Sequence, residues 1–375
     1  MFKNYLGRLL GLDKPVSCHE RNFKANATDL GDNLEGNSKD FGNCEFQAAA
    51  SQGNIDLLKK LLDHGCDINQ PDSEGNTALS LAAGKGHFEI VKFLLALPSC
   101  VDACNREGRT ALMEAASGGH EEIIRFLSSH CDVNKQDCHH HTALMEAVMY
   151  DYGKTAEILL DCGASANVVD SRGRTPLHIA ALLGRKTILG KLVDSGADIN
   201  AQVDVDGYSQ LFLATWDPWN NGVNSVECIK ILAKAGCDLN IQVKRGLYPV
   251  TCCIGAKPDW QDRVIVLINY GCDISVTDHY GYDLLQLSIM TGSELMVEVL
   301  KNAGYNFMPE KLHVLQSRYN NSVSDTIKLF SVPLSLKYIC RIKIRRSAME
   351  PLFKSIQQMC IPTVMKEFLI DLQRI

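Results

Sequence analysis

The chain has 375 residues, of which 46% are hydrophobic, and its 38 basic against 44 acidic side chains give a net charge of −6. That balance excludes a general nucleic-acid or anionic-membrane binder, which needs a basic excess to displace counterions. No uninterrupted apolar run reaches the roughly 18 residues of a membrane span, so no membrane partner is expected. At the N-terminus, Asn4 and Arg8 break the apolar series Phe2, Leu6, Leu9 and Leu10. Met1 to Gly11 therefore reads as a short amphipathic turn, without the continuous apolar core of a signal peptide. Asp13 to Gly42 is polar and rich in Asn, Asp, Ser and Gly, and residues 1–43 are expected to form a flexible arm.

From Cys44 the chain repeats itself. The first unit, Cys44 to Asn69, keeps Ala48-Ala49-Ala50, Gly53, Leu57, Leu58, Leu61, Leu62 and Gly65 but lacks the turn glycine of later units, so it is expected to cap the series. Then come Gly75-Asn76-Thr77-Ala78-Leu79, Gly108-Arg109-Thr110-Ala111-Leu112, His140-His141-Thr142-Ala143-Leu144 and Gly173-Arg174-Thr175-Pro176-Leu177. Weaker copies follow at Gly207-Tyr208-Ser209, Gly246-Leu247-Tyr248 and Gly281-Tyr282-Asp283. The spacing is about 33 residues, the period of the ankyrin repeat. The copy running from Asp170 through Thr175-Pro176-Leu177-His178-Ile179-Ala180-Ala181 to Gly196-Ala197-Asp198-Ile199-Asn200 resembles the ankyrin family closely. The resemblance covers Cys44 to Phe307 and implies an all-α fold, a solenoid of β-turns and helix pairs.

Each unit supports that geometry on its own residues. The glycine two before Thr suits a tight turn, Thr can cap the first helix, and Pro176 suits its first position. Leu177, Ala180 and Ala181 make a small apolar face, and Ile188, Leu189, Leu192 and Val193 form the buried side of the second helix. Gly196 can end that helix in the left-handed conformation. Fifteen cysteines, an odd total without a compact framework, point to reduced thiols and an intracellular protein. Cys66, Cys131, Cys237 and Cys272 take the place of Ala197 in the closing Gly-Ala-Asp, a small buried position.

Catalytic chemistry finds little support. Cys138-His139-His140-His141 has ligand types, but no second ligand pair at a standard spacing follows, and His140 takes the turn-glycine position. The run reads as a hairpin tip, and neither a metal nor a cofactor is expected. Cys252-Cys253 falls within a first helix. His178 reads as a structural histidine bonding between neighbouring turns. The closing aspartates Asp67, Asp132, Asp198, Asp238 and Asp273, one per unit, read as turn residues. No phosphate-cradling GxxxxGK loop occurs.

Two units carry extra length, within Thr215 to Asn224 and near Lys257 to Trp260, and these loops hold all three tryptophans. Trp216, Trp219 and Trp260 are candidate target-binding residues, since solenoid insertions map to loops and tryptophan is enriched in interface hot spots. The alternative is that the rings only cover the longer loops.

After Phe307 the period stops. Residues 308–332 are expected to close the stack as degenerate end-cap helices, and Pro333 marks a boundary. In the next helix Leu336, Cys340 and Ile344 share one face, while Lys337, Arg341 and Arg345 fill one polar arc. A helix so widely apolar should be covered from two sides. Ser335, Leu336, Cys340 and Ile344 resemble the SOCS-box pattern Ser/Thr/Pro-Leu-x-x-x-Cys-x-x-x-aliphatic at every specified position. Met359-Cys360-Ile361-Pro362 falls on its Leu-Pro-aliphatic-Pro motif, with Pro362 kept, Cys360 in place of the first proline and Met359 in place of leucine. Met365-Lys366-Glu367-Phe368-Leu369 fits the last helix.

Residues 333–375 thus resemble a three-helix SOCS box. The resemblance to the ankyrin-repeat and SOCS-box family implies a non-catalytic substrate receptor of a cullin–RING ubiquitin ligase. Ser335, Leu336, Cys340 and Ile344 would contact elongin C of the elongin B/C pair. Ile361 and Pro362 would contact a cullin with its RING subunit, cullin-5 in the family's usual pairing, on which the lost proline bears. The competing reading is an ankyrin scaffold whose last helices only cap the stack.

Overall fold

The computed structural model of the protein describes residues 38–203, 207–216, 225–243, 246–254, 260–291 and 293–305. The described chain forms eight helix pairs and divides into two compact units after Cys237. The first unit holds six pairs: α1 (Ser38–Gln52) with α2 (Ile55–Asp63), α3 (Ala78–Lys85) with α4 (Phe88–Leu95), α5 (Ala111–Gly118) with α6 (Glu121–Leu127), α7 (Ala143–Met149) with α8 (Gly153–Asp161), α9 (Pro176–Leu182) with α10 (Lys186–Asp194), and α11 (Gln210–Trp216) with α12 (Ser225–Lys234). The second unit holds α13 (Pro249–Cys253) with α14 (Trp260–Asn269), and α15 (Leu284–Met290) with α16 (Glu294–Asn302). Isolated β-bridges such as Cys104 to Thr110 and Thr277 to Asp283 close hairpins between pairs.

Local chemistry explains where the first helices start. Thr77, Thr110, Thr142 and Thr175 are extended, and each hydroxyl accepts the backbone N–H three residues on. Such a cap contributes about 1 kcal/mol. Pro176 occupies the first turn of α9, where a missing N–H costs nothing. In α15 Asp283 takes the threonine's role, and Gln286 returns a bond to its backbone N–H.

Small residues let the first helices approach closely. Ala82, Ala83, Ala115, Ala116, Ala147, Ala180 and Ala181 are buried, and in the first unit α1, α3, α5, α7, α9 and α11 pack in succession. The second helices pack behind them through larger side chains, among them Leu58, Ile90, Leu94, Ile124, Leu127, Ile158 and Leu192. Each fully buried aliphatic of this size contributes about 1.5–3 kcal/mol. Side chains also stitch one pair to the next. Asn69, Asn134 and Asn167 each accept a backbone N–H from the following repeat, from Cys100, Ser165 and Asp198, at 2.8 Å.

One boundary differs from expectation. The helix α1 begins at Ser38, inside the stretch expected to be arm. Once Phe46, Ala49 and Ala50 are anchored in the core, extending the helix by further residues is cheap. The end-cap segment 308–332 and the three-helix tail 333–375 lie outside the described residues.

Candidate interaction surfaces

The hairpins ahead of the first helices share one construction. At Asp72, Asn105, Asp137 and Asp170 the backbone N–H bonds the carbonyl four residues on, at 2.9–3.0 Å. Their side-chain Oδ1 atoms accept the N–H groups two and four residues on. Tips then bond tip to tip: Arg106 to Glu74, Cys138 to Glu107 and Ser171 to His139, at 2.9–3.0 Å. That close approach explains Gly75, whose φ is +85° and where a Cβ would stand 2.9 Å from the Arg106 nitrogen. At the equivalent place His140 holds φ 60°, a left-handed conformation an ordinary side chain adopts at a cost.

Charge collects beside these hairpins. The Arg109 guanidinium meets Glu114 at 2.6 Å and both oxygens of the buried Glu146, at 2.9 and 3.3 Å. Burial works against the Arg109 cation, but Glu146 and Glu114 outweigh it and raise its pKa. Burial also pushes the Glu146 carboxyl up, against the pull of Arg109. One repeat further, Arg174 holds the buried Asp170 at 2.7 Å. His141 stands between the two pairs, 3.8–3.9 Å from Asp137, Glu146 and Asp170. Burial lowers its pKa, with Asp137 and Asp170 pulling the other way. The sequence reading passed over this network. Its signal was the doubled Leu-Met-Glu-Ala at Leu112 and Leu144, which puts Glu114 and Glu146 at the same helical position.

The tryptophans have different settings. Trp216, at the end of α11, is half-buried and lies 6.1 Å from Tyr208 and 6.3 Å from Phe212, whose rings stack at 5.0 Å. Trp219 lies outside the described residues. Trp260 opens α14 and is only 8% exposed, so its ring packs inward and offers little surface to a partner. Being at the start of a helix rather than in the loop is what turns it into the core. Tyrosines are more open: Tyr150 and Tyr152 flank Asp151, and Tyr280 is 73% exposed at its hairpin tip. Ser335, Leu336, Cys340, Ile344, Ile361 and Pro362 all lie outside the described residues.

The remaining candidates are structural in their surroundings. His178 is fully buried, and its Nδ1 accepts the Thr175 N–H at 3.2 Å and meets the Thr175 hydroxyl at 2.9 Å, closing a capping box. Its imidazole is pushed down to about 4 by burial, despite the nearby carbonyls of Tyr208 and Ala201. Those carbonyls belong to the next hairpin, so the side chain does face a neighbouring turn. Cys237 and Cys272 are buried where Ala197 is, while Cys66 and Cys131 are half-buried. Burial, with Asp102 and Asp132 adding to it, pushes the Cys131 thiol up to about 12, and burial pushes Cys252 up to about 12. Neither thiol is an activated nucleophile. Asp67, Asp132, Asp198, Asp238 and Asp273 accept the N–H two residues on, as turn residues do. Among the described residues no helix is long and apolar enough to cross a membrane.

Comparison with known proteins adds the tail. Family models for ankyrin repeats match residues 46–137 and 127–203, and the SOCS-box model matches residues 332–370. Ankyrin repeat and SOCS box protein 6 of Homo sapiens is 28% identical over 144 residues, 37% of this chain and 33% of that protein. The nuclear factor NF-kappa-B p105 subunit of Gallus gallus is 29% identical over 175 residues, 46% of this chain and 17% of that protein. A transient receptor potential cation channel, subfamily A member 1 of Homo sapiens, is 37% identical over 82 residues, 22% and 7% of the two chains. The chain thus spans at most a third of these relatives' lengths.

Proposed function

The chain belongs to the ankyrin-repeat and SOCS-box family, and from that premise we propose that it is the substrate-recognition adaptor of an elongin B/C–cullin–RING ubiquitin ligase. Ankyrin repeats joined to a SOCS box are typical of non-catalytic adaptor proteins. The observation that carries the reading is the SOCS-box match at 332–370 behind a stack of ankyrin pairs. In it, residues 44–307 hold a target protein through hairpin tips and first helices, with Trp216 and Trp219 among the contacts. Residues 308–332 close the stack, and residues 333–375 dock the ligase. Ser335, Leu336, Cys340 and Ile344 meet elongin C, and Ile361 and Pro362 meet the cullin, cullin-5 by the family's pairing. Ubiquitin is transferred by other subunits, and the protein works in the cytoplasm.

The test is a pull-down from cells expressing wild type or a Leu336→Pro/Cys340→Phe double variant. Elongins B and C should accompany the wild type and be lost from the variant. Equal elongin recovery with both would remove the proposed docking through Leu336 and Cys340.

A further inference from the structure

Besides carrying His140 in place of glycine, the hairpin preceding α7 differs from those led by Asp72 and Asp170 at its fourth position. In each hairpin the leading Asp or Asn uses Oδ1 for backbone N–H groups, and the residue four later decides what happens beside it. Asn76 donates to Asp72 Oδ2 at 3.1 Å, and Arg174 donates to Asp170 Oδ2 at 2.7 Å. His141 holds that place in its own hairpin, yet its Nδ1 stays 3.9 Å from Asp137 Oδ2. The same nitrogen lies 3.8 Å from Glu146 Oε1. Both separations are too long for hydrogen bonds. The three donor atoms lie within 4.8 Å of one another, with Asp137 and Glu146 buried and His141 half-buried.

We propose that Asp137, His141 and Glu146 form a binding site for a divalent metal ion of the zinc class. A tetrahedral zinc with bonds of about 2.1 Å sets its donor atoms roughly 3.4 Å apart, so small side-chain rotations close the set around the ion. Asp137 is pinned through Oδ1 by the N–H groups of His139 and His141, at 2.8 and 2.7 Å, which aims Oδ2 at the site. Glu146 Oε1 gives one lone pair to Arg109 and retains another for a ligand. On the far side of the imidazole, Nε2 faces Asp170 Oδ2 at 3.8 Å. An outer carboxylate in that place fixes the orientation of a metal-bound histidine.

Charge balance points the same way. The carboxylates of Glu114, Asp137, Glu146 and Asp170 outnumber the guanidinium groups of Arg109 and Arg174, and still do when the rim residue Arg172 is included. A divalent cation neutralises that excess in a place where desolvation makes uncompensated charge costly. Asp137 and His141 come from a hairpin and Glu146 from the helix after it, so the three ligands form no paired motif on a single element. The adjacent Cys138, His139 and His140, which drew attention in the sequence, are exposed and take no part.

The test uses the full chain, stripped with EDTA, dialysed and titrated with zinc chloride, with bound metal measured by elemental analysis and Tm followed in parallel. One zinc per chain and a Tm rise reversed by EDTA are expected. Asp137→Asn and His141→Asn should each weaken zinc at least tenfold while circular dichroism stays helical, because Asn105 and Asn76 already serve at those two positions in neighbouring hairpins. Cobalt(II) in the wild type should give a spectrum without the intense near-ultraviolet band of thiolate ligation. Failure of wild type to bind zinc, a thiolate band with cobalt, or unchanged zinc affinity in the two variants would each overturn the proposal. The wild-type zinc and cobalt readings decide it even if a variant does not fold.

Discussion

At the scale of single residues, burial decides what His178 and Glu146 contribute. His178 is held neutral, with a folded pKa of about 4 against an ordinary value near 6.5. As pH falls below about 6.5 the unfolded chain takes up the proton first, so the folded state loses ground until about pH 4 and no more below it. The stability lost across that window is about 3 kcal/mol. Denaturant titrations at pH 7 and pH 4.5 should show this loss in wild type and a smaller one in His178→Gln, which keeps the capping box. Equal losses would mean that the imidazole is not held neutral. For Glu146 the partner matters more than the group. Arg109→Leu strands a buried carboxylate and should cost about 3–5 kcal/mol in EDTA-containing buffer. A cost under about 1 kcal/mol would place the pair in water-like surroundings.

At the scale of elements, the hairpins and caps were mostly legible in the sequence, because each rests on chemistry that a single residue announces. Gly75, Gly108 and Gly173 marked the turns, Thr77, Thr110, Thr142 and Thr175 marked the helix starts, and the buried alanines marked the face of the first helices. His140 shows what a departure from that code does: the hairpin keeps its left-handed residue at φ 60° without glycine. Replacing it, His140→Gly, should raise stability by about 0.5–1 kcal/mol, since relief of strain exceeds the added freedom of the unfolded chain. A loss of stability would show that the His140 side chain makes contacts worth more than the strain. Less legible was anything set by the register between pairs. Arg109 and Glu146 are 37 residues apart, and only stacking of α5 on α7 joins them. The inward turn of Trp260 likewise depends on where α14 begins, which loop length alone did not fix.

At the scale of the molecule, the stack and the tail carry different kinds of information. A repeat array is stabilised pair by pair and by each pair's neighbours, so a cavity in one pair should weaken the joint to the next. Ile124→Ala in α6, at a fully buried position, should cost about 2–5 kcal/mol. Its unfolding curve should also lose steepness as pairs on either side uncouple. The array was readable because its period recurs. The tail was readable only as a resemblance, in Ser335, Leu336, Cys340 and Ile344, and the variable surface that would select a target left no such pattern.

Central to the account is the division of labour between these two parts. It is tested most directly by quantitative mass spectrometry of proteins bound to wild type and to Leu336→Pro/Cys340→Phe, purified under a cullin inhibitor. The account predicts that elongins, cullin and RING subunit fall together in the variant while the proteins held by the repeats stay bound. Retention of the ligase subunits by the variant, at wild-type levels, would contradict it.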